Sequence, residues 1–148
     1  MIMRTIFLIM IGFSMLWSQG VGIVHDSKTG LDWQDDYSSN GDNIKYSNWT
    51  EAIDYCEAFS LGGYDDWRLP NINELKSIKS NLGIRLGFNN VVPILNNIPE
   101  DYTDKDYWSS TSYVKFNNSA WVMGFGYDLY SFKNKNFNHY VRCVREGQ

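Results

Sequence analysis

Aspartate and asparagine side chains recur in short clusters along this chain, at Asp35-Asp36, Asp42-Asn43, Asp65-Asp66 and, nearer its end, Asp101, Asp104 and Asp106. Carboxylate and amide oxygens are the ligands calcium selects, so a bound calcium ion is the first chemistry to weigh. None of these clusters has the regular spacing of an EF-hand loop. Hydroxyls gather at Ser109-Ser110-Thr111, but a serine nucleophile needs a base beside it. In a strand next to Trp108 these groups are better placed to bond backbone or neighbours. His25 and His139 are the only two histidines, without HExxH or other zinc spacing. No Gly-x-Ser-x-Gly elbow and no phosphate-cradling glycine loop occurs. The expectation is a noncatalytic protein that needs no metal or cofactor, with calcium left open.

Charge gives a second lead. The formal net charge is −4, but it is unevenly spread. Residues 21–106 hold seven Lys or Arg against fifteen Asp or Glu, whereas residues 107–148 hold five (Lys115, Lys133, Lys135, Arg142, Arg145) against two. A nucleic-acid footprint would need a strongly basic domain or stripe, which is not present. A modest basic face could meet an anionic glycan through Lys115, Lys133, Lys135 and Arg142; the alternative is an ordinary mixed surface. Tyr37, Tyr46, Tyr102, Tyr113, Tyr127 and Tyr130 fall in or near expected loops or strand ends, where exposed rings could stack on pyranose faces. The segments 113–118 and 133–138 are the best surface candidates, because Asn117, Asn118 and the lysines stand there among aromatics.

Residues 1–20 have the layout of a secretory signal: one early arginine, an apolar run from Ile6 to Trp17, and small residues Ser18 and Gly20 before Val21. The apolar run is short for a membrane span, although an uncleaved anchor is the other reading. Residues 21–148 then form one domain, large enough for a core and too small for two. An extracytoplasmic chain (periplasmic, secreted or surface-held) meets oxidising conditions. Its two cysteines, Cys56 and Cys143, therefore argue for a bridge.

The elements that would position these groups can be read in order. Residues 21–24 and 31–33 read as strands joined by a turn at 27–30. Asn48 can cap a helix with Glu51 completing a capping box, and Ala52, Ile53, Cys56 and Phe59 recur at helical spacing until Gly62-Gly63. A second helix follows Pro70, with Asn71 as cap, Glu74 at its third position, and Ile72, Leu75 and Ile78 as buried stripe. Residues 81–106 lack a sustained period, and so long a connection is usually functional or locally disordered. Strands are expected at 107–111, 120–125, 127–132 and 139–145. The implied architecture is α+β: one antiparallel sheet with two helices on one side, and Trp33, Trp49, Trp67, Trp108 and Trp121 as core rings.

Four motifs stand in sequence: Thr29-Gly30-Leu31-Asp32-Trp33; Trp67-Arg68-Leu69-Pro70-Asn71 running into Glu74-Leu75; Tyr107-Trp108-Ser109-Ser110-Thr111; and Val141-Arg142-Cys143-Val144-Arg145. Their order and spacing resemble the Lcl C-terminal domain family, extracytoplasmic bacterial domains named after the end of a collagen-like adhesin. The resemblance implies a C-type-lectin-like fold, in which a disulfide commonly ties the first helix to the final strand and a long loop builds the binding surface. It also implies a binding module, with polysaccharide recognition in adhesion as the first expectation. A cell-surface protein is the alternative partner, docked on an apolar patch around residues 89–98. The formylglycine-generating enzymes share the fold class and use reactive thiols, a third and remoter reading. Sugar-binding C-type lectins carry a Glu-Pro-Asn or Gln-Pro-Asp turn and a Trp-Asn-Asp strand. Here the prolines stand in Val92-Pro93-Ile94 and Ile98-Pro99-Glu100, and Trp121 precedes Val122-Met123, which argues against calcium-bridged sugar binding.

Overall fold

The structure, a computed structural model, describes residues 22–36, 44–82, 106–124 and 129–148. Residues 1–20, read from sequence as a secretory signal, Tyr37, Asp42-Asn43, Asp101, Tyr102, Asp104, Tyr127 and the 89–98 segment lie outside the described residues. No described helix is long and apolar enough to cross a membrane.

Strands β1 (Ile23–Asp26) and β2 (Leu31–Gln34) form a hairpin. The Asp26 carboxylate holds its turn by accepting from the Lys28 N–H at 3.0 Å and the Thr29 hydroxyl at 2.7 Å, the local bonding that favours Asp in turns. After the two-residue strand β3 (Tyr46–Ser47), Asn48 caps helix α1 (Trp49–Glu57) by accepting the Glu51 N–H at 3.0 Å. The helix stops at Ala58, short of the expected Gly62-Gly63. Those glycines, at φ +66° and +84°, instead turn a tight loop closed by mutual Leu61–Tyr64 backbone bonds, a conformation that glycine adopts without cost.

Helix α2 (Ile72–Leu82) starts with a complete capping box. The Asn71 Oδ1 accepts the Asn73 and Glu74 N–H groups, and Glu74 Oε2 accepts the Asn71 N–H at 2.8 Å. Ile72, Leu75 and Ile78 are buried as the helical period requires.

The remaining strands are β4 (Asp106–Ser112), β5 (Ser119–Gly124), β6 (Leu129–Asn134), β7 (His139–Tyr140) and β8 (Val144–Glu146). They do not make the single antiparallel sheet expected. One sheet has order β1-β2-β8, and the other has order β3-β7-β4-β5-β6 with β4 and β7 parallel. Nor do both helices share one side. Along β4 and β5, Trp108, Ala120 and Val122 join a core with Ala52 and Cys56 of α1, while Tyr107 and Met123 join a second core with Leu75 and Ile78 of α2. The period-2 alternation thus buries both faces of the larger sheet, one beneath each helix.

The closing segment explains the two-sheet arrangement. Residues 139–145 were expected as one strand, but the chain changes partner within it. Tyr140 pairs with Tyr46 and Tyr107, and the Val141 N–H donates to the Lys45 carbonyl. From Val144 the chain pairs with Trp33 on one side and, through mutual bonds of 2.9 Å, with Arg68 on the other. Residues 141–145 are consequently buried on both faces. Cys56 of α1 and Cys143 of this crossing are joined by the expected disulfide, 87 residues apart.

Candidate binding surface

The two surface segments picked from sequence come together at one end of the five-stranded sheet. The β4–β5 turn is closed by bonds from Phe116 N–H to the Tyr113 carbonyl and from Ser119 N–H to the Phe116 carbonyl. The β6–β7 turn is closed by Phe137 N–H to the Asn134 carbonyl, with the Asn134 side chain accepting the Asn136 N–H. A bond of 2.8 Å from the Lys135 N–H to the Asn118 carbonyl ties one turn to the other. Lys115, Asn117 and Asn118 are exposed there.

Lys133 and Lys135 project toward the α1 side. Lys133 Nζ lies 3.3 Å from the Asp106 carboxylate. Lys135 Nζ donates to the Ser112 hydroxyl at 2.8 Å and sits 4.0 Å over the Trp49 ring. Trp49 is itself pinned, its indole N–H donating to the Ser109 carbonyl at 2.8 Å. His139 lies 4.0 Å from the same Asp106 and edge-on to Trp108. Burial pulls the His139 pKa below its ordinary 6.5, with Lys133 adding to the effect and Asp106 opposing it.

Arg142 does not belong to this surface. Its side chain is fully buried, with Nη1 donating to the Gln34 carbonyl at 3.1 Å and lying 3.5 Å from the Asp35 carboxylate. The reason is the change of sheet at residues 141–143, which covers what a simple strand alternation would leave outside.

The other motif residues are structural. Arg68 forms a two-pronged pair with Glu74, both bonds 2.7 Å, and reaches Glu146 at 2.9 Å, locking the turn before α2 onto the last strand. Burial works to raise the Glu74 carboxyl, but the Arg68 and Asn71 hydrogen bonds and the Arg68 charge outweigh it and hold its pKa below the ordinary value. Pro70 is buried, and its carbonyl accepts the Ser110 N–H. Trp33, Trp67 and Trp108 are buried core rings, whereas Trp49 and Trp121 are only partly covered.

Sequence reasoning assigned no role to Arg145, which donates to Asp32 at 2.7 Å and to both oxygens of Asp66 while lying over the Tyr64 ring. Asp66, Asp35 and Asp106, offered as calcium oxygens, thus each face a cation. Among the described residues no group of three or more His, Cys, Asp or Glu is arranged to hold a metal. The cleft of about 410 Å³ between Thr29, Leu31, Asn71, Asn73, Glu74, Ser77 and Glu146 is open, and both its carboxylates are engaged by Arg68.

Tyr113 and Tyr130, two of the tyrosines that the sequence offers for sugar stacking, belong to an aromatic row on the α2 side whose other rings the sequence did not single out. Across β5 and β6, Trp121 is opposite Phe132 and Met123 opposite Tyr130, so these side chains share a face. Tyr113 stacks on Phe132 with centroids 4.1 Å apart, Phe116 adjoins both, and Lys76 Nζ lies 4.0 Å over Tyr130. The available signal was β6 itself, where Tyr130 and Phe132 alternate with Ser131 and Lys133. Such a strand puts rings on one face and polar groups on the other.

None of the curated proteins matches this chain. The family model described as the Lcl C-terminal domain matches residues 22–145, a span that takes in all four motifs and both cysteines. The chain belongs to the Lcl C-terminal domain family.

Proposed function

We propose that this protein is an extracytoplasmic, noncatalytic binding domain of C-type-lectin-like fold that holds a polysaccharide, preferably an anionic one, in adhesion. The observation that carries the reading is the gathering of Lys115, Asn117, Asn118 and Lys135 on two turns tied by the Lys135–Asn118 bond, with Lys133 at the adjoining end of β6. Ammonium groups beside amides suit a ligand with both hydroxyls and acidic groups. The ring beneath Lys135 holds its charge in place rather than neutralising it. The fold assignment draws on the disulfide from the first helix to the closing segment, the tie common in C-type-lectin-like domains. The location draws on the same bridge and on the leader-like first twenty residues.

The test is a glycan array probed with the oxidised protein, in calcium and in chelator, at low and high salt. The expected result is binding that fades with salt, survives the chelator, and weakens in Lys133→Glu/Lys135→Glu. Loss on chelation would assign recognition to a calcium site. No binding in any buffer would sink the polysaccharide reading and favour a cell-surface protein as partner.

A further inference from the structure

Aromatic rings that a sheet has no helix to cover usually belong to something that binds there, because exposed apolar surface in one patch is uncommon on a monomer. Helix α2 packs on β4 and β5 and reaches β6 with the ammonium of Lys76 over Tyr130. Beyond it, Phe116, Tyr130 and Phe132 remain 54 %, 52 % and 43 % exposed. They are not loose. Tyr113 is parallel to Phe132, and Trp121 meets Tyr113 and Phe132 nearly at right angles, at 5.2 and 6.2 Å. Trp121 also contacts Tyr130. Rings fixed in this way lose little freedom when a ligand covers them.

We infer that the row from Tyr130 through Phe132 to Phe116 is a carbohydrate-stacking platform for an acidic glycan chain, with Lys76 and Lys115 holding the acid groups at its two ends. The inference rests on the polysaccharide reading and extends it to the opposite face of the sheet, with the turn at 113–118 common to both. Pyranose rings present C–H faces that match exposed aromatic carbon, while their hydroxyls need polar neighbours. The Tyr130 hydroxyl and the Asn117 and Asn118 amides of the adjoining turn supply these. Charge complementarity selects the occupant. Lys76 lies over Tyr130 at one end, and Lys115 stands between Val114 and Phe116 in the exposed turn at the other. The segment 113–118 also carries no acidic residue.

The experiment measures calorimetric affinity of the full oxidised chain for polygalacturonate, dextran sulfate and uncharged dextran, beside Phe116→Ser/Phe132→Ser, Lys76→Gln/Lys115→Gln, Phe132→Tyr and Lys133→Glu/Lys135→Glu. The expected result is preference for a polyanion and a loss of about tenfold or more in the double Phe variant, at unchanged melting temperature. Phe132→Tyr should keep affinity because it keeps the ring, and Lys76→Gln/Lys115→Gln should erase the preference over dextran. Native-like affinity in Phe116→Ser/Phe132→Ser, with loss only in Lys133→Glu/Lys135→Glu, overturns the platform and leaves the polysaccharide reading standing. No binding of any polymer by the native chain overturns both. A native dimer in sedimentation that the double Phe variant dissociates would assign the rings to a second copy instead, and also overturns the platform.

Discussion

Gln34 and Cys143 hold each other by two hydrogen bonds of different origin: the Gln34 backbone N–H donates to the Cys143 carbonyl at 3.0 Å, and the Cys143 N–H donates to the Gln34 side-chain oxygen at 3.1 Å. The side chain stands in for a strand at the point where the closing segment has left one sheet and not yet joined the other. Gln34→Ala strips a buried N–H of its partner, a loss of about 1–3 kcal/mol. The urea midpoint should fall with the slope unchanged. A shift of no more than a few tenths would mean that another group satisfies Cys143.

The bridge closes most of the folded chain, its two cysteines standing 87 positions apart. Replacing both cysteines with alanine should lower stability by about 4–5 kcal/mol on the loop-entropy estimate. Denaturant unfolding of the oxidised native chain and of the variant checks this. The same decrement should appear when the native protein is unfolded in a thiol reductant.

Acid should weaken the protein through Glu74. Its folded pKa lies below the ordinary 4.5 because the bonds from Arg68 and Asn71 outweigh burial. The contribution is therefore complete above the unfolded value and disappears as pH falls through the folded one. Asp66, held low chiefly by its hydrogen bond from Arg145, acts in the same direction below 3.8. Melting temperatures should drop between pH 5 and pH 3, as about the span of these titrations. Glu74→Gln should melt lower at pH 7 and show a flatter profile.

A milder loss should begin higher, at His139. Burial depresses its folded pKa below 6.5, so below that pH the unfolded chain takes up a proton that the folded chain resists. Stability is full above the unfolded value and declines as pH falls through the folded one. His139→Gln should remove the decline below pH 6.5 while leaving the lower, Glu74-dependent limb intact. A native melting curve that is level from pH 7 to pH 5 would count against the burial of this ring.

Features set by neighbours in the chain were legible without coordinates. Asn71 and Glu74 stand three apart before an apolar stripe, and they cap each other as that spacing demands. The cysteine pair followed from its even number and from the oxidising compartment that the leader-like first twenty residues suggest. What a one-dimensional pattern cannot carry is the partner of each strand. Alternation in residues 139–145 gave two faces, but Arg142 is enclosed because Gln34, Asp35 and the crossing chain surround it. The same gap hid the α2-side platform. Trp121 looks like a core ring in sequence, and only the register opposite Phe132 shows that it also packs against the exposed rings of Tyr130 and Phe132.

The closing segment has a temporal consequence. Trp33, Gln34, Lys45 and Arg68 all direct backbone or side-chain bonds to residues 141–144, the last of the four motifs to leave the ribosome. Neither sheet is complete until then, and the cores beneath α1 and α2 both lack members. Such long-range closure makes folding slow and cooperative rather than progressive along the nascent chain. Both sheets and both cores therefore share one keystone, the segment that lies between β2 and Arg68.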